Sequence, residues 1–286
     1  METISIASSS MLVELSISCW TARKLDKKVS QEVDEVNEAR ARSGNYNKNL
    51  LAGTQKLDDI IKFAAVVRSW HVFNTLPWSD KGTRLLPMQN FLAYKQKLNE
   101  WEESFNVLVQ EFLVDYPLLV DAAAFHLGKL FNRDEYPDVN KIADKFRFYY
   151  TFSPVPTAND FRIDINEQAK QELIRQFTAD SQERLKDAMG EAWERLHKCL
   201  THMSGRLAKD ATGDNVGFKD SMISNALELV EMLSVLNITK DTQMEQARKE
   251  LASVLVGVDA KDLRKNDDIR TEVKTRVDEI LSKFSF

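Results

Sequence analysis

Residues Asn166–Asp210 read NEQAKQELIRQFTADSQERLKDAMGEAWERLHKCLTHMSGRLAKD, with no proline and no glycine before Gly190. Leu185, Ala188, Ala192, Leu196, Cys199, Met203 and Leu207 recur three or four positions apart, the spacing that lines one face of an α-helix. Asn166 is a good N-cap, and Glu167 stands in the first turn, where the helix dipole favours a carboxylate. At about 1.5 Å per residue such a helix is roughly 65 Å long. A helix of that length needs an antiparallel partner, a second protein, or two parts of the molecule to bridge. The stretch sets the class: a mainly α protein, built as a long-helix bundle with coiled-coil-like hairpins and one small, mostly antiparallel β-sheet.

Toward the C-terminus, Thr212–Gly217 is the clearest turn in the chain. Three helices are predicted beyond it: 220–236, 239–256 capped by Thr239, and 266–284 capped by Asn266. Toward the N-terminus the period changes. Met11 to Cys19 alternates apolar and polar residues and reads as a strand, as do Arg147–Thr151 and Phe161–Ile165. Helices are expected over 24–42, 57–73 and 89–116. The last carries the heptad Phe91, Tyr94, Leu98, Trp101, Phe105, Leu108, Phe112 and is broken or kinked at Pro117. The expected organisation is a helical domain with the sheet over 11–165, a connecting helix over 166–210, and a C-terminal bundle over 218–286.

Nine glycines and six prolines in 286 residues are too few for an all-β fold. The formal charge of −5 argues against a dedicated nucleic-acid binder. Lys261, Arg264, Lys265, Arg270, Lys274 and Arg276 alternate with carboxylates and read as a solvated helix face. Cys19 and Cys199 read as reduced thiols, Glu2 and Glu14 spoil a signal peptide, and no apolar run reaches about 18 residues. The expected location is the cytoplasm, with no membrane involvement.

No catalytic or cofactor fingerprint is legible, and no metal or cofactor is expected. His197 and His202 are five apart, about 140° round a helix, and do not converge on an ion. Residues 74–87 read as an ordered loop, and the best local candidate for binding is its Pro77–Pro87 part, with His71, Trp78, Asp80, Lys81 and Arg84. Two prolines restrain it, and Trp and Arg are the residue types that dominate interfaces. Lys81 and Arg84 are expected to be removable without harm to the fold. The alternative surface is Arg147, Tyr149, Tyr150 and Arg162, a basic-aromatic set able to stack unpaired bases.

The order Trp20-Thr21-Ala22-Arg23-Lys24-Leu25-Asp26, then Thr75-Leu76-Pro77-Trp78 with Gly82-Thr83-Arg84-Leu85-Leu86-Pro87, then Tyr150-Thr151-Phe152-Ser153-Pro154-Val155-Pro156, resembles a phage-borne helical family known only as a domain of unknown function. The resemblance spans roughly residues 10–210. It implies a phage origin and company with a MoxR-like AAA+ ATPase and a von Willebrand-type adaptor, and it carries no catalytic residues. The expected function is therefore non-enzymatic: a phage protein acting by protein–protein interaction as an adaptor, an inhibitor of a host factor or an assembly component. The long apolar seam predicts a homo-oligomer. The alternative is a single-stranded nucleic-acid or nucleotide binder.

Overall fold

The computed structural model describes residues 6–157 and 166–284. In chain order they form α1 (Ile6–Ser9), β1 (Ser10–Ser18), β2 (Arg23–Leu25), α2 (Lys27–Val36), β3 (Asn47–Asn49), α3 (Lys56–Phe73), β4 (Leu76–Pro77), β5 (Arg84–Pro87), α4 (Phe91–Leu127), α5 (Val139–Ala143), β6 (Arg147–Pro154), α6 (Glu167–Leu207), α7 (Ser221–Leu236), α8 (Thr242–Leu255), α9 (Ala260–Lys265) and α10 (Asp267–Lys283). Of the described residues 65% are helical, and among them are one antiparallel sheet in the order β4-β5-β1-β6 and a two-stranded β2-β3 ribbon. The mainly α class with one small sheet is what the sequence predicts. The expected strand at Phe161–Ile165 lies outside the described residues.

The chain divides into two compact units, Met1–Glu14 with His71–Tyr94 and Thr151–Phe286, and Leu15–Trp70 with Lys95–Tyr150. This division cuts across the segments 11–165, 166–210 and 218–286 read from the sequence. The reason is the segment 74–87, which is a hairpin of the sheet rather than a loop. Leu76 and Pro77 stand opposite Leu85 and Arg84, and β5 pairs with β1 from Ser10↔Pro87 to Val13↔Arg84. Both prolines sit where a missing N–H is tolerated, Pro77 on the edge strand and Pro87 as the last residue of β5. Gly82 closes the turn at φ +92°, a conformation open to glycine.

In the first unit α6 is the spine. Its Asn166 cap accepts from the Ala169 N–H at 2.8 Å, and its buried side chains run from Ala188 to Leu207. Ala192, Leu196 and Met203 join a core with Ala226 and Leu233 of α7, Ala247 and Leu251 of α8, and Val277 of α10. Each large apolar side chain so buried contributes about 1.5–3 kcal/mol. Two details correct the sequence reading. The α8 cap is Asp241, not Thr239: its Oδ1 accepts from Gln243 N at 2.8 Å and Met244 N at 3.2 Å, and Lys240 before it has left-handed φ of +55°. Arg270 is no part of a solvated face, being 3% exposed inside this unit.

In the second unit α4 buries Leu98, Phe105, Val109, Phe112, Tyr116 and Val120. Of the predicted heptad Leu98, Phe105 and Phe112 are buried, but Trp101 and Leu108 are only half-buried and Val109 takes the place of Leu108, so the spacing beyond Phe105 is that of an ordinary core-facing helix. Trp20 meets Phe112 and Tyr116 at ring-centroid distances of 6.5 and 5.9 Å, and Trp70 meets Trp101 edge-on at 4.7 Å. Pro117 lies inside α4 and does not end it; the cost is the hydrogen bond its nitrogen cannot donate to Leu113. The helix expected over 24–42 shrinks to α2, whose Val33 and Val36 are exposed while Ser30 is buried. Ser30 Oγ donates to Asp26 O at 2.6 Å and accepts from Tyr46 N at 3.0 Å, so the buried face is organised by a hydroxyl rather than by valines. Nearby the buried Lys48 ammonium pairs with Glu135 at 2.6 Å and Asp26 at 3.1 Å and donates to Leu130 O at 3.0 Å.

Candidate partner-binding groove

The residues singled out around the hairpin do not form one exposed site. Trp78 is 6% exposed and belongs to the core with Leu76, Leu85 and Val155, under the Arg184 guanidinium. His71 is buried, and its Nδ1 is hydrogen-bonded to the Tyr94 hydroxyl. Arg84 donates through Nε to Thr75 Oγ1 at 2.7 Å and pairs with Glu191 at 3.1 Å, and Glu191 also holds Arg195. Arg195 donates to the carbonyls of Val72 and Thr75 at 2.8 Å and of Phe73 at 2.9 Å. Those carbonyls are at and just past the end of α3, where a helix leaves its acceptors unpaired. Two guanidiniums sharing one carboxylate therefore terminate α3. Arg84 cannot be removed harmlessly, and only Asp80 and Lys81, at the hairpin turn, are exposed.

Burial pushes His71 down to about 4, with the Arg84 charge adding to the shift, and pushes the Tyr94 hydroxyl up. His71 is thus neutral at pH 7, with its Nδ1 and the Tyr94 hydroxyl sharing one hydrogen bond. On β6 the alternative set is also divided. Arg147 lies over the Tyr149 ring at 4.6 Å, with Tyr149 44% exposed. Tyr150 donates to Asn99 Oδ1, and Phe148 is buried against Phe105. Arg162 lies outside the described residues. A single ring already covered by its own arginine is not the series of open stacking faces that unpaired bases need.

A different surface has the geometry of a binding site. Between the last three turns of α6 and the first two of α7 runs a groove of about 890 Å³. Its floor is apolar, with Cys199, Met203, Phe218, Met222, Ala226 and Leu229. Burial pushes the Cys199 thiol up to about 11, so it stands there as a neutral, apolar group. Lys198, His202 and Arg206 on α6 and Lys219 before α7 are exposed along its rim. Among the described residues no carboxylate lines the groove, although the chain carries 44 acidic residues against 39 basic. The nearest ones are engaged, Glu191 with Arg195, Glu194 with Lys198, and Asp220 with Arg264.

The signal was present in the sequence. From Arg195 to Lys209 there is no Asp or Glu, and the basic residues 195, 198, 202 and 206 recur three or four apart. Tested only as metal ligands, the histidines of this stretch concealed it. Among the described residues no three His, Cys, Asp or Glu side chains gather to hold an ion, and no helix is long and apolar enough to cross a membrane. Comparison with family models, curated proteins and solved structures finds no match for this chain.

Proposed function

We propose that this protein acts by binding another protein, as an adaptor, an inhibitor of a host factor or an assembly component, and that the α6–α7 groove is the surface it uses. The observation that supports this reading is the combination of an apolar floor with an exposed cationic rim. A helix–helix groove of that make-up suits a polypeptide segment that lays down apolar side chains between charged ones. A MoxR-like AAA+ ATPase is the partner class the family resemblance suggests, in the cytoplasm of an infected cell.

The test uses a thiol placed at the rim, because burial keeps the Cys199 thiol neutral and unreactive. In a Cys19→Ser background, benzophenone maleimide on Ser221→Cys, an exposed position of the groove, should cross-link a discrete polypeptide in extract of the infected cell. Asn225→Trp, which fills the groove from an exposed position of α7, should abolish that adduct. An adduct that persists in Asn225→Trp, or no adduct at all, overturns the reading.

Self-association belongs to the same proposal and rests on a separate observation. From Glu167 to Asp187 α6 has no fully buried side chain, although it carries Leu173, Ile174 and Phe177. A second copy covering that half-helix would remove its apolar face from water. Sedimentation at tens of micromolar is expected to show a dimer or larger species, and a strict monomer removes the oligomer.

A further inference from the structure

We infer that the segment received by the α6–α7 groove is an acidic amphipathic helix of a partner protein, with apolar side chains on the floor and carboxylates against the rim. This rests on the protein-binding reading of the groove and adds the chemistry of its occupant. Charge complementarity carries it. In a molecule of net charge −5, the cations Lys198, Arg206 and Lys219, with the His202 imidazole between them as a hydrogen-bonding group, surround a floor that no carboxylate among the described residues lines.

The dimensions agree. Arg195 to Arg206 covers three turns of α6, about 16 Å, the length of roughly eleven residues of a docked helix. Along a helix, carboxylates three and four apart share one side, and Lys198, His202 and Arg206 follow that same repeat. The Glu194–Lys198 pair is exposed on both sides, 57% and 71%, so exchange of Glu194 for a partner carboxylate costs little. Arg195, at the end of the groove, is committed to the α3 carbonyls and Glu191 and takes no part. A nucleic acid would satisfy the cations but leave the sulfur-rich floor of Cys199, Met203 and Met222 uncovered.

The experiment is fluorescence anisotropy with the full chain and three probes. One is a labelled designed peptide of about four helical turns with leucines on one face and flanking glutamates. The others are its Gln-for-Glu counterpart and an oligothymidine of similar length. The acidic peptide should bind in the micromolar range, about tenfold or more tighter than the Gln form, and weaken as salt is raised. Lys198→Glu combined with Lys219→Glu should weaken the acidic peptide about tenfold or more; both positions are exposed, so the fold is kept. Equal affinity for the Glu and Gln peptides, indifference to the double variant, or preference for the oligonucleotide overturns the inference. If the peptide fails while the cross-link from Ser221→Cys is still made and still lost in Asn225→Trp, the occupant is wrong and the protein-binding reading stands. If the cross-link fails as well, both fall.

Discussion

Arg270→Ala should lower the stability of the unit built on α6 by about 3–5 kcal/mol, the largest effect expected of any single substitution outside the apolar core. Arg270 enters in the first turn of α10 and is 3% exposed. Its guanidinium donates to Arg206 O at 2.6 Å, Leu207 O at 3.0 Å and Val216 O at 2.7 Å, with longer contacts to Ala208 O and Leu263 O. The carbonyls of 206 and 207 are the last of α6, and Leu263 lies in the last turn of α9. One side chain thus satisfies the orphan acceptors of two helices and places positive charge at their negative ends.

Truncation would leave several buried or part-buried acceptors without their donor, each costing about 1–3 kcal/mol before relaxation. It would also remove the guanidinium that faces the ring of Phe218 at 5.5 Å, leaving Arg264 over that ring at 4.9 Å. Arg270→Lys should recover only part of the loss, since one ammonium cannot reach carbonyls on separate segments. Arg264→Ala is the control: its side chain is 40% exposed and its pair with Asp220 is at the surface, so a change within about 1 kcal/mol is expected. Chemical denaturation of the three variants and the parent decides the matter. An Arg270→Ala protein as stable as Arg264→Ala would show that the carbonyls find other partners.

Arg270 also marks where sequence reading stops. Apolar periodicity reports which face of a helix is covered, and it placed the spine, the Asn166 cap and the α7 and α10 seams. It says nothing of a buried cation, because Arg270, Arg264 and Lys265 stand in the same run and differ only in what they meet. The hairpin was misread for a related reason. Prolines at 77 and 87 resemble loop punctuation until Leu76 is paired with Leu85, and β5 itself pairs with β1 more than seventy residues earlier. The candidate residues His71, Trp78 and Arg84 were rightly noticed as unusual. Their peculiarity is structural, a helix terminus finished by arginine and a tryptophan buried beneath a turn. The groove, by contrast, was written plainly in the acid-free stretch 195–209 and needed only α7 to give it a second wall.

Acidification should destabilise the parent by about 2 kcal/mol between pH 7 and 5, and by about 3 kcal/mol once below pH 4, through His71 alone. Burial holds this imidazole at about 4 in the folded chain against an ordinary 6.5, a difference worth about 1.4 kcal/mol per unit. Between those values the unfolded chain binds a proton that the folded chain refuses, so stability rises with pH across the window. It is complete above about 6.5 and lost as pH falls toward 4. Carboxylates held low by their partners, such as Asp26 and Glu245, act with the same sign from about pH 5 downward, where the unfolded acids begin to protonate. The window from about pH 7 to 5.5, where His71 accounts for about 1 kcal/mol, therefore isolates the imidazole. His71→Gln keeps a partner for the Tyr94 hydroxyl and removes the titration, so its stability should be flat over that range while the parent declines. Because His71 precedes the Val72 and Phe73 carbonyls that Arg195 grips, and Phe73 and Arg195 form one end of the groove, the same protonation should loosen the groove. A parent and variant whose denaturation midpoints run parallel from about pH 7 to 5.5 would mean that the His71 proton is admitted without cost.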